Sequence, residues 1–463
     1  MIIERFVTPE LAQVAYAVGD ETTKEIALID PRRDVDEYVA WADRHGLRIV
    51  AILETHVHAD FVSGVLELAT ATGAPVYTSR LGNQTFEHVP VDDSWTLDVG
   101  SVRLTALHTP GHTAEHLSWQ ATDSSDVDAR PVLFSGDALF VGDVGRPDLL
   151  GAGQTDALVR DLYSTVTNGF MTLPDATIVY PGHTAGSSCG KNIGSAPHTT
   201  IANEKAMNYA FKPRSETEFA RAVLSGMPQP PTYYPILKRV NAEGAPLLAS
   251  LDDMNAVTVV ELEDHIASGA MVVDVRSAGE FAEEHILGSI FVGVGPNFST
   301  WMGWLAPYDR GVVLIANDAA QAGEALTMAS RIGLDRVAGY CVGVEAWRES
   351  GRSLGTLGAT DPDHVMTEQA REKEPTVIDV RNDSEFEIGH IDGAVHHFLG
   401  RMAQGEMPAL PRDEEIVITC ASGYRSTVAA SLLLAHGYQH LRNLGGGMNA
   451  WNERKAGSRS VAS

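Results

Sequence analysis

Short apolar runs alternate with helix-like stretches through the first half of the chain. Leu47-Arg48-Ile49-Val50-Ala51-Ile52-Leu53 reads as a buried strand, as does Glu25-Ile26-Ala27-Leu28-Ile29-Asp30, and residues 1–7 read as a first strand. Residues 34–45 follow a helical period with Gly46 as the stop signal. Residues 61–71 follow one too, and further strands are predicted at 74–77, 102–107, 131–134 and 176–180. Four of these strands run directly into residues that bind metals. The run at 47–53 leads to Thr55-His56-Val57-His58-Ala59-Asp60-Phe61, and that at 102–107 to His108-Thr109-Pro110-Gly111-His112. The run at 131–134 leads to Ser135-Gly136-Asp137, and that at 176–180 to Pro181-Gly182-His183. Imidazole and carboxylate are ligands of borderline transition metals, and glycine lets the backbone turn close to an ion. One such strand end is ordinarily structural. Four with the same order of strand and donor point to a metal centre.

The second half repeats itself. Val272-Val273-Asp274-Val275-Arg276 is answered by Val377-Ile378-Asp379-Val380-Arg381, and at the same offset Glu280-Phe281 by Glu385-Phe386. His285-Ile286 is likewise answered by His390-Ile391, and Gly343-x-x-Ala346-Trp347 by Gly447-x-x-Ala450-Trp451. Such an internal repeat redefines the architecture. Three domains are expected, at residues 1–245, 246–357 and 358–463, which suits a chain of 463 residues.

Composition narrows the function. The net charge of −27 argues against general nucleic-acid binding. No apolar run approaches the ~20 residues of a membrane span, and the N-terminus has no basic and then apolar leader. A cytoplasmic protein with no membrane partner is the expectation. Cys189, Cys341 and Cys420 are odd in number and far apart, which argues against a disulfide framework. Cys189 and Cys341 are read as packing residues.

His56-x-His58-x-Asp60, His112, Asp137 and His183 together resemble the ligand series of the metallo-β-lactamase superfamily. The resemblance implies an αββα sandwich with a metal at one edge. Gly142-Asp143-Val144-Gly145-Arg146-Pro147-Asp148-Leu149 and Gly186-Ser187-Ser188-Cys189-Gly190-Lys191-Asn192 resemble the persulfide dioxygenases of that superfamily. By that resemblance His56, His112 and Asp137 hold one Fe(II) per chain as a facial triad. His58, Asp60 and His183 become neighbours or further ligands, and Arg146 binds an anionic group of the thiol carrier. Hydrolases of the superfamily place a histidine where this chain has Phe61. Phenylalanine has no lone pair to give, so a second metal loses a donor.

The repeated half resembles two tandem rhodanese domains, so the chain reads as α/β and multidomain throughout. Cys420 stands between the apolar run 416–419 and a helical run, followed by Ala421-Ser422-Gly423-Tyr424-Arg425-Ser426. Converging N–H groups and a helix N-terminus favour a thiolate and a persulfide anion there. Arg425 adds positive charge, and Ala421, Ser422, Gly423, Tyr424 and Ser426 cradle the sulfur. Aligning 313–316 with 416–419 puts Asn317 at the corresponding position of the first copy, which is then inactive. The resemblance implies oxidation of a low-molecular-weight persulfide by O2 to sulfite and thiol. Formation or use of thiosulfate follows at Cys420, in sulfide detoxification, and pairing into a homo-oligomer is compatible. Two other readings stand beside it: a zinc thioester hydrolase of the glyoxalase II kind, and a non-enzymatic sulfur relay or sensor.

Overall fold

The computed structural model describes residues 1–126, 128–212, 214–369 and 375–461. The chain divides into one unit made of Met1–Leu251 with Ser330–Gly333 and another made of Asp252–Ala329 with the residues from Leu334 onward.

In the first unit, β1 (Ile2–Thr8), β2 (Gln13–Asp20), β3 (Glu25–Ile29), β4 (Arg48–Leu53), β5 (Val76–Ser79) and β6 (Val89–Val91) lie side by side in chain order. A second sheet runs from β7 (Thr96–Val99) through β8 (Val102–His108), β9 (Leu117–Asp123), β10 (Val132–Gly136) and β11 (Ile178–Pro181) to β12 (Thr199–Thr200). Alternation explains how they pack. Along β8, Val102, Leu104 and Ala106 point inward and Arg103 points out, as a period of two requires. Val14, Tyr16 and Leu53 from the first sheet meet Leu104, Trp119 and Phe134 from the second in one core. Each large side chain buried there contributes about 1.5–3 kcal/mol. Tyr16 also ties the sheets together, its hydroxyl donating to Pro181 O at 2.7 Å. Helices α1 (Asp36–Arg44) and α2 (Val65–Thr72) cover the outer face of the first sheet. Helices α3 (Ala152–Ser164), α4 (Ile201–Met207) and α5 (Glu216–Leu224) cover the second. This is the expected αββα sandwich.

One boundary differs. The helical period at 61–71 starts only at Val65, because Phe61 to Gly64 are held as a turn. Asn241 Nδ2 donates to His58 O and Phe61 O, and Asn241 Oδ1 accepts from Ser63 N. Asn241 lies on α6 (Tyr234–Glu243), a helix that pattern reading did not single out.

The second unit contains two parallel sheets. One orders Ile290–Phe291, Met271–Asp274, Val312–Ala316 and Val337–Val342; the other orders Gly358–Thr360, His440–Leu444, Glu415–Thr419, Thr376–Asp379 and Val395–His396. The repeat is physical as well as textual. Arg276 forks onto Asp274 and reaches Glu284 O, and Arg381 forks onto Asp379 and reaches Gly389 O. Both copies start the next helix with a capping box, Ser277 with Glu280 and Asn382 with Glu385. Among the described residues no helix is long and apolar enough to cross a membrane.

Register corrects one alignment. Asp274 pairs with Ile315, and Asp379 with Thr419. Ala316, rather than Asn317, therefore occupies the place of Cys420. Three residues separate Ile315 from the helix Ala319–Ser330, against four between Thr419 and the helix Tyr424–Ala435. The first copy lacks one residue of the turn as well as the thiol. Asn317 instead points its amide toward Glu280 at 3.4 Å.

Candidate metal centre and cysteine loop

The strand ends converge as their shared direction requires. His56 to Asp60 leave the C-terminal end of β4, while His112, Asp137 and His183 follow β8, β10 and β11 in the facing sheet. Gly136 makes the turn at φ +49°, where a Cβ would stand 2.6 Å from Thr55 Oγ1 and 2.7 Å from His116 Nε2. Only glycine fits there.

His56, His112 and Asp137 are buried with their ligand atoms within 4.8 Å of one another. Asp137 Oδ2 lies 3.5 Å from His112 Nε2 and 3.9 Å from His56 Nε2, too long for a strong hydrogen bond but suited to a shared ion. Outer partners fix each ring. His56 Nδ1 bonds Thr55 Oγ1 at 2.9 Å, Thr55 is itself held by Asp30, and His112 Nδ1 bonds Arg146 O at 3.0 Å. Such partners leave Nε2 as the free lone pair. Burial and the surrounding rings, with Lys238, hold His56 and His112 well below the usual imidazole range, so both are neutral. Burial pushes the Asp137 carboxyl up, with the Asp60 charge acting in the same direction. His56 Nε2 and both oxygens of Asp137 are buried without a hydrogen-bond partner. Leaving such groups unpaired costs several kcal/mol, and a cation satisfies them together. The residues fit a metal.

His58 stands apart from this group. Its Nε2 lies 3.2 Å from Asp30 Oδ1. Burial alone would discharge the ring, but Asp30, Glu54 and Asp60 outweigh it and raise its pKa to about 9. With its Nε2 turned to Asp30, His58 is not among the donors gathered with Asp137. The Phe61 ring is fully buried against it, with centroids 4.3 Å apart.

Asp60 and His183 form a second group. His183 Nε2 is 3.2 Å from Asp60 Oδ2 and 3.4 Å from Asp137 Oδ1, and its Nδ1 bonds Ala12 O. The third donor within 4.8 Å is Cys189, expected only to pack. Its thiol is pushed well above its ordinary range by burial and by Asp60 and Asp137.

Several other members were not singled out from sequence. His116 Nε2 accepts from the backbone N–H of Asp137 at 3.0 Å and fixes the turn that carries the carboxylate. Tyr234, Lys238 and Asn241 share one face of α6 by their i, i+4, i+7 spacing, a signal that was available. Lys238 Nζ is buried without a hydrogen-bond acceptor, 3.6 Å from Glu115 Oε1, and Glu115 in turn accepts from Val57 N.

Arg146 is not where substrate binding requires it. The side chain is fully buried, and every arm is engaged: with the Asp148 carboxylate at 2.7 and 2.9 Å, Ser188 O and Pro228 O. It braces the loop whose carbonyl holds His112. Arg146→Ala is therefore expected to destabilise the unit by about 3 kcal/mol, the cost of breaking a buried pair, and to loosen the metal. Urea unfolding and metal content measure both. A raised KM at unchanged stability would return Arg146 to the substrate.

In the second unit Cys420 is buried at the N-terminus of the helix Tyr424–Ala435. Its Sγ accepts from Gly423 N at 3.1 Å and from Ser426 Oγ at 3.3 Å. Cys420 O and Ala421 O accept from Met448 N and Asn449 N, which fixes the turn. Ser422 is exposed at its outer edge. Tyr424 turns away, donating to Gly293 O of the first copy at 2.9 Å. Arg425 is forked onto Glu385 at 2.7 Å through both arms, so its charge is already balanced. Cys341 is buried with its thiol on Val257 O, pushed up to about 11 by burial.

Residues 8–183 match the model of the metallo-beta-lactamase superfamily, and residues 258–350 and 363–454 each match the rhodanese-like domain. A crystal structure of a metallo-beta-lactamase from Staphylococcus aureus is 33% identical, covers 74% of this chain and 98% of its own, and gives a TM-score of 0.66. The mitochondrial persulfide dioxygenase ETHE1 of Bos taurus is 30% identical over 187 residues, 40% of this chain and 68% of that protein. A hydroxyacylglutathione hydrolase of Polaromonas sp. is 33% identical over 187 residues, 40% of this chain and 66% of that protein.

Proposed function

We propose that this chain, which belongs to the metallo-beta-lactamase superfamily and carries two rhodanese-like domains behind that fold, oxidises low-molecular-weight persulfides with O2. A persulfide, O2 and one water yield thiol, sulfite and two protons. The observation that carries the reading is the pairing of two neutral imidazoles and one carboxylate with an apolar wall, Phe61, in place of a further ligand. The likeness to ETHE1 supports it.

Ferrous iron held by His56, His112 and Asp137 would supply the O2 chemistry, which no side chain can perform. The chain's own residues do the rest. Thr55 and Arg146 O hold the two rings in one tautomer, and His116 aims Asp137. Phe61 and the buried loop around it keep bulk water from the reacting sulfur. Lys238 on α6 brings a cation to the Glu115 side of the loop, where it receives a carboxylate of the thiol carrier. Lys238→Ala is expected to raise KM for a carboxylated persulfide about ten- to a hundredfold, the worth of one charged hydrogen bond at ~1.5–3 kcal/mol, with kcat little changed. A drop in kcat at constant KM would remove Lys238 from binding.

In the second unit, sulfite accepts sulfur from the Cys420 persulfide and leaves as thiosulfate, returning Cys420 as thiolate. The Gly423 N–H and Ser426 hydroxyl hold the sulfur throughout. The reverse reaction loads Cys420 from thiosulfate.

A zinc thioester hydrolase is the second reading, and the donor set Asp60, His183 and Cys189 favours it. Anaerobic purification with metal analysis, followed by an oxygen electrode with glutathione and coenzyme A persulfides, separates the two. Iron near one per chain with O2 uptake is expected. Zinc near two per chain with thioester hydrolysis and no O2 uptake would replace the proposal.

A further inference from the structure

We propose that Glu385 sets how tightly the Cys420 site holds oxyanions, by competing with them for the guanidinium of Arg425. The inference rests on the sulfur-transfer reading of Cys420 and adds the residue that keeps thiosulfate and sulfite free to leave.

Three elements of the second rhodanese-like copy meet here. Cys420 follows the strand Glu415–Thr419, Arg425 is the second residue of the helix Tyr424–Ala435, and Glu385 stands in the first turn of the helix Asp383–Ile388. Arg425 Nη1 donates to Glu385 Oε2 and Nη2 to Oε1, each at 2.7 Å. A planar fork of this kind matches a carboxylate as it would match an oxyanion, so the two ligands contend for the same donors. The side chains of Arg425 and Glu385 are only 21% and 29% exposed, which limits screening by salt. Arg425 lies close enough to Cys420 for the thiolate charge to act on it, after the larger effects of burial and of Glu385 itself.

Glu385 carries its charge throughout. Burial alone would raise its carboxyl, but Arg425 outweighs burial and holds it below the usual range. Asp379, which also acts on Arg425, is itself neutralised by the Arg381 fork. The first copy separates the two duties of the acid. Its Glu280 stands at the matching position and closes the same capping box with Ser277, but the second residue of its following helix is Ala320. Capping is therefore what this position does without an arginine, and the fork is an addition in the second copy. An amide oxygen can still accept the 3.3 Å bond from Asn382 N, so Glu385→Gln keeps the cap and removes the charge.

Charge decides what this does to the reaction. In loading, the Cys420 thiolate attacks the outer sulfur of thiosulfate, the S–S bond of the donor breaks, and sulfite leaves with the electron pair. Thiolate and thiosulfate dianion become cysteine persulfide anion and sulfite dianion, and the reverse step makes thiosulfate. Either way a dianion must come to rest beside an anionic sulfur and then depart. A guanidinium free of other partners would hold that dianion and slow its release. Glu385 offers Arg425 an anion that never leaves, so the oxyanion is bound weakly and returned to water.

The test reads the charge of the site through alkylation of Cys420 in the full chain, followed by peptide mass spectrometry. Iodoacetamide is neutral and iodoacetate anionic, so the ratio of their rates reports how the site receives an anion. Glu385→Gln is expected to raise the iodoacetate-to-iodoacetamide ratio on the order of tenfold, the effect of lifting one like charge from a partly buried site. The KM for thiosulfate should fall by a similar factor. With Arg425→Gln already in place, the same substitution should raise the ratio far less. An unchanged ratio in Glu385→Gln, or an equal rise with and without Arg425, overturns the proposal. Should Glu385→Gln not fold, Glu385→Asp, too short to span the fork, takes its place: a raised ratio supports the proposal and an unchanged one overturns it. Alkylation needs no sulfur transfer. A native chain that fails to exchange sulfur between thiosulfate and sulfite would therefore sink the sulfur-transfer reading and leave the ratio interpretable.

Discussion

Asp137→Asn is expected to empty the metal centre and abolish O2 uptake while leaving sulfur transfer at Cys420 intact. The substitution keeps the size of the side chain and the Asp137 N–H bond to His116. It removes the one negative charge shared between His56, His112 and His183. Without it the imidazoles of His56 and His112 keep no anionic oxygen beside them. Metal retention should weaken by more than the roughly 10–100-fold that follows from disturbing an outer partner. Thiosulfate exchange in the same preparation shows that the other unit is intact, and urea unfolding of the variant checks the unit that carries Asp137. Iron retained near one per chain with O2 uptake above a tenth of normal would show that Asp137 is not a ligand.

Cys420→Ser is the mirror experiment. A hydroxyl cannot form a persulfide, so sulfur transfer between thiosulfate and sulfite should fall to background. Ser keeps the hydrogen bonds that Gly423 N and Ser426 Oγ give to Sγ, so the turn should survive. Oxidation of an added persulfide should be unchanged, with sulfite accumulating where the native chain gives thiosulfate. Loss of both activities would mean that the oxidation site is fed only through Cys420, contrary to the proposal.

The convergence of these side chains was largely legible because its grammar is local. A strand that ends in His or Asp beside glycine leaves its mark within a few residues, and His56, His112, Asp137 and His183 all carry that mark. What stayed hidden depends on distance. Cys189 enters from a loop whose path is set by Asp143 and Arg146, and nothing in its immediate neighbours says that it faces Asp60. Arg146 was misread for the complementary reason. An arginine in a Gly-rich loop looks available until burial commits its guanidinium to Asp148, Ser188 O and Pro228 O. His58 followed the pattern of its neighbours, yet Asp30, at the end of another strand, captures it. Asp30 ends a predicted strand just as Asp137 does, so the same grammar pointed to it without saying what it would hold.

The shortened turn of the first rhodanese-like copy also bears on how this architecture can be re-engineered. The four strands of the first sheet keep the order of their counterparts in the second, which adds Gly358–Thr360 at one edge, and the Asp274–Arg276 and Asp379–Arg381 forks brace them alike. Ala316→Cys alone would put sulfur at the right point of the ladder. It would still leave three residues to reach a helix that the second copy reaches in four. Regaining a second sulfur carrier thus calls for an insertion together with a substitution. Two simultaneous changes of different kinds make such a gain a rare event.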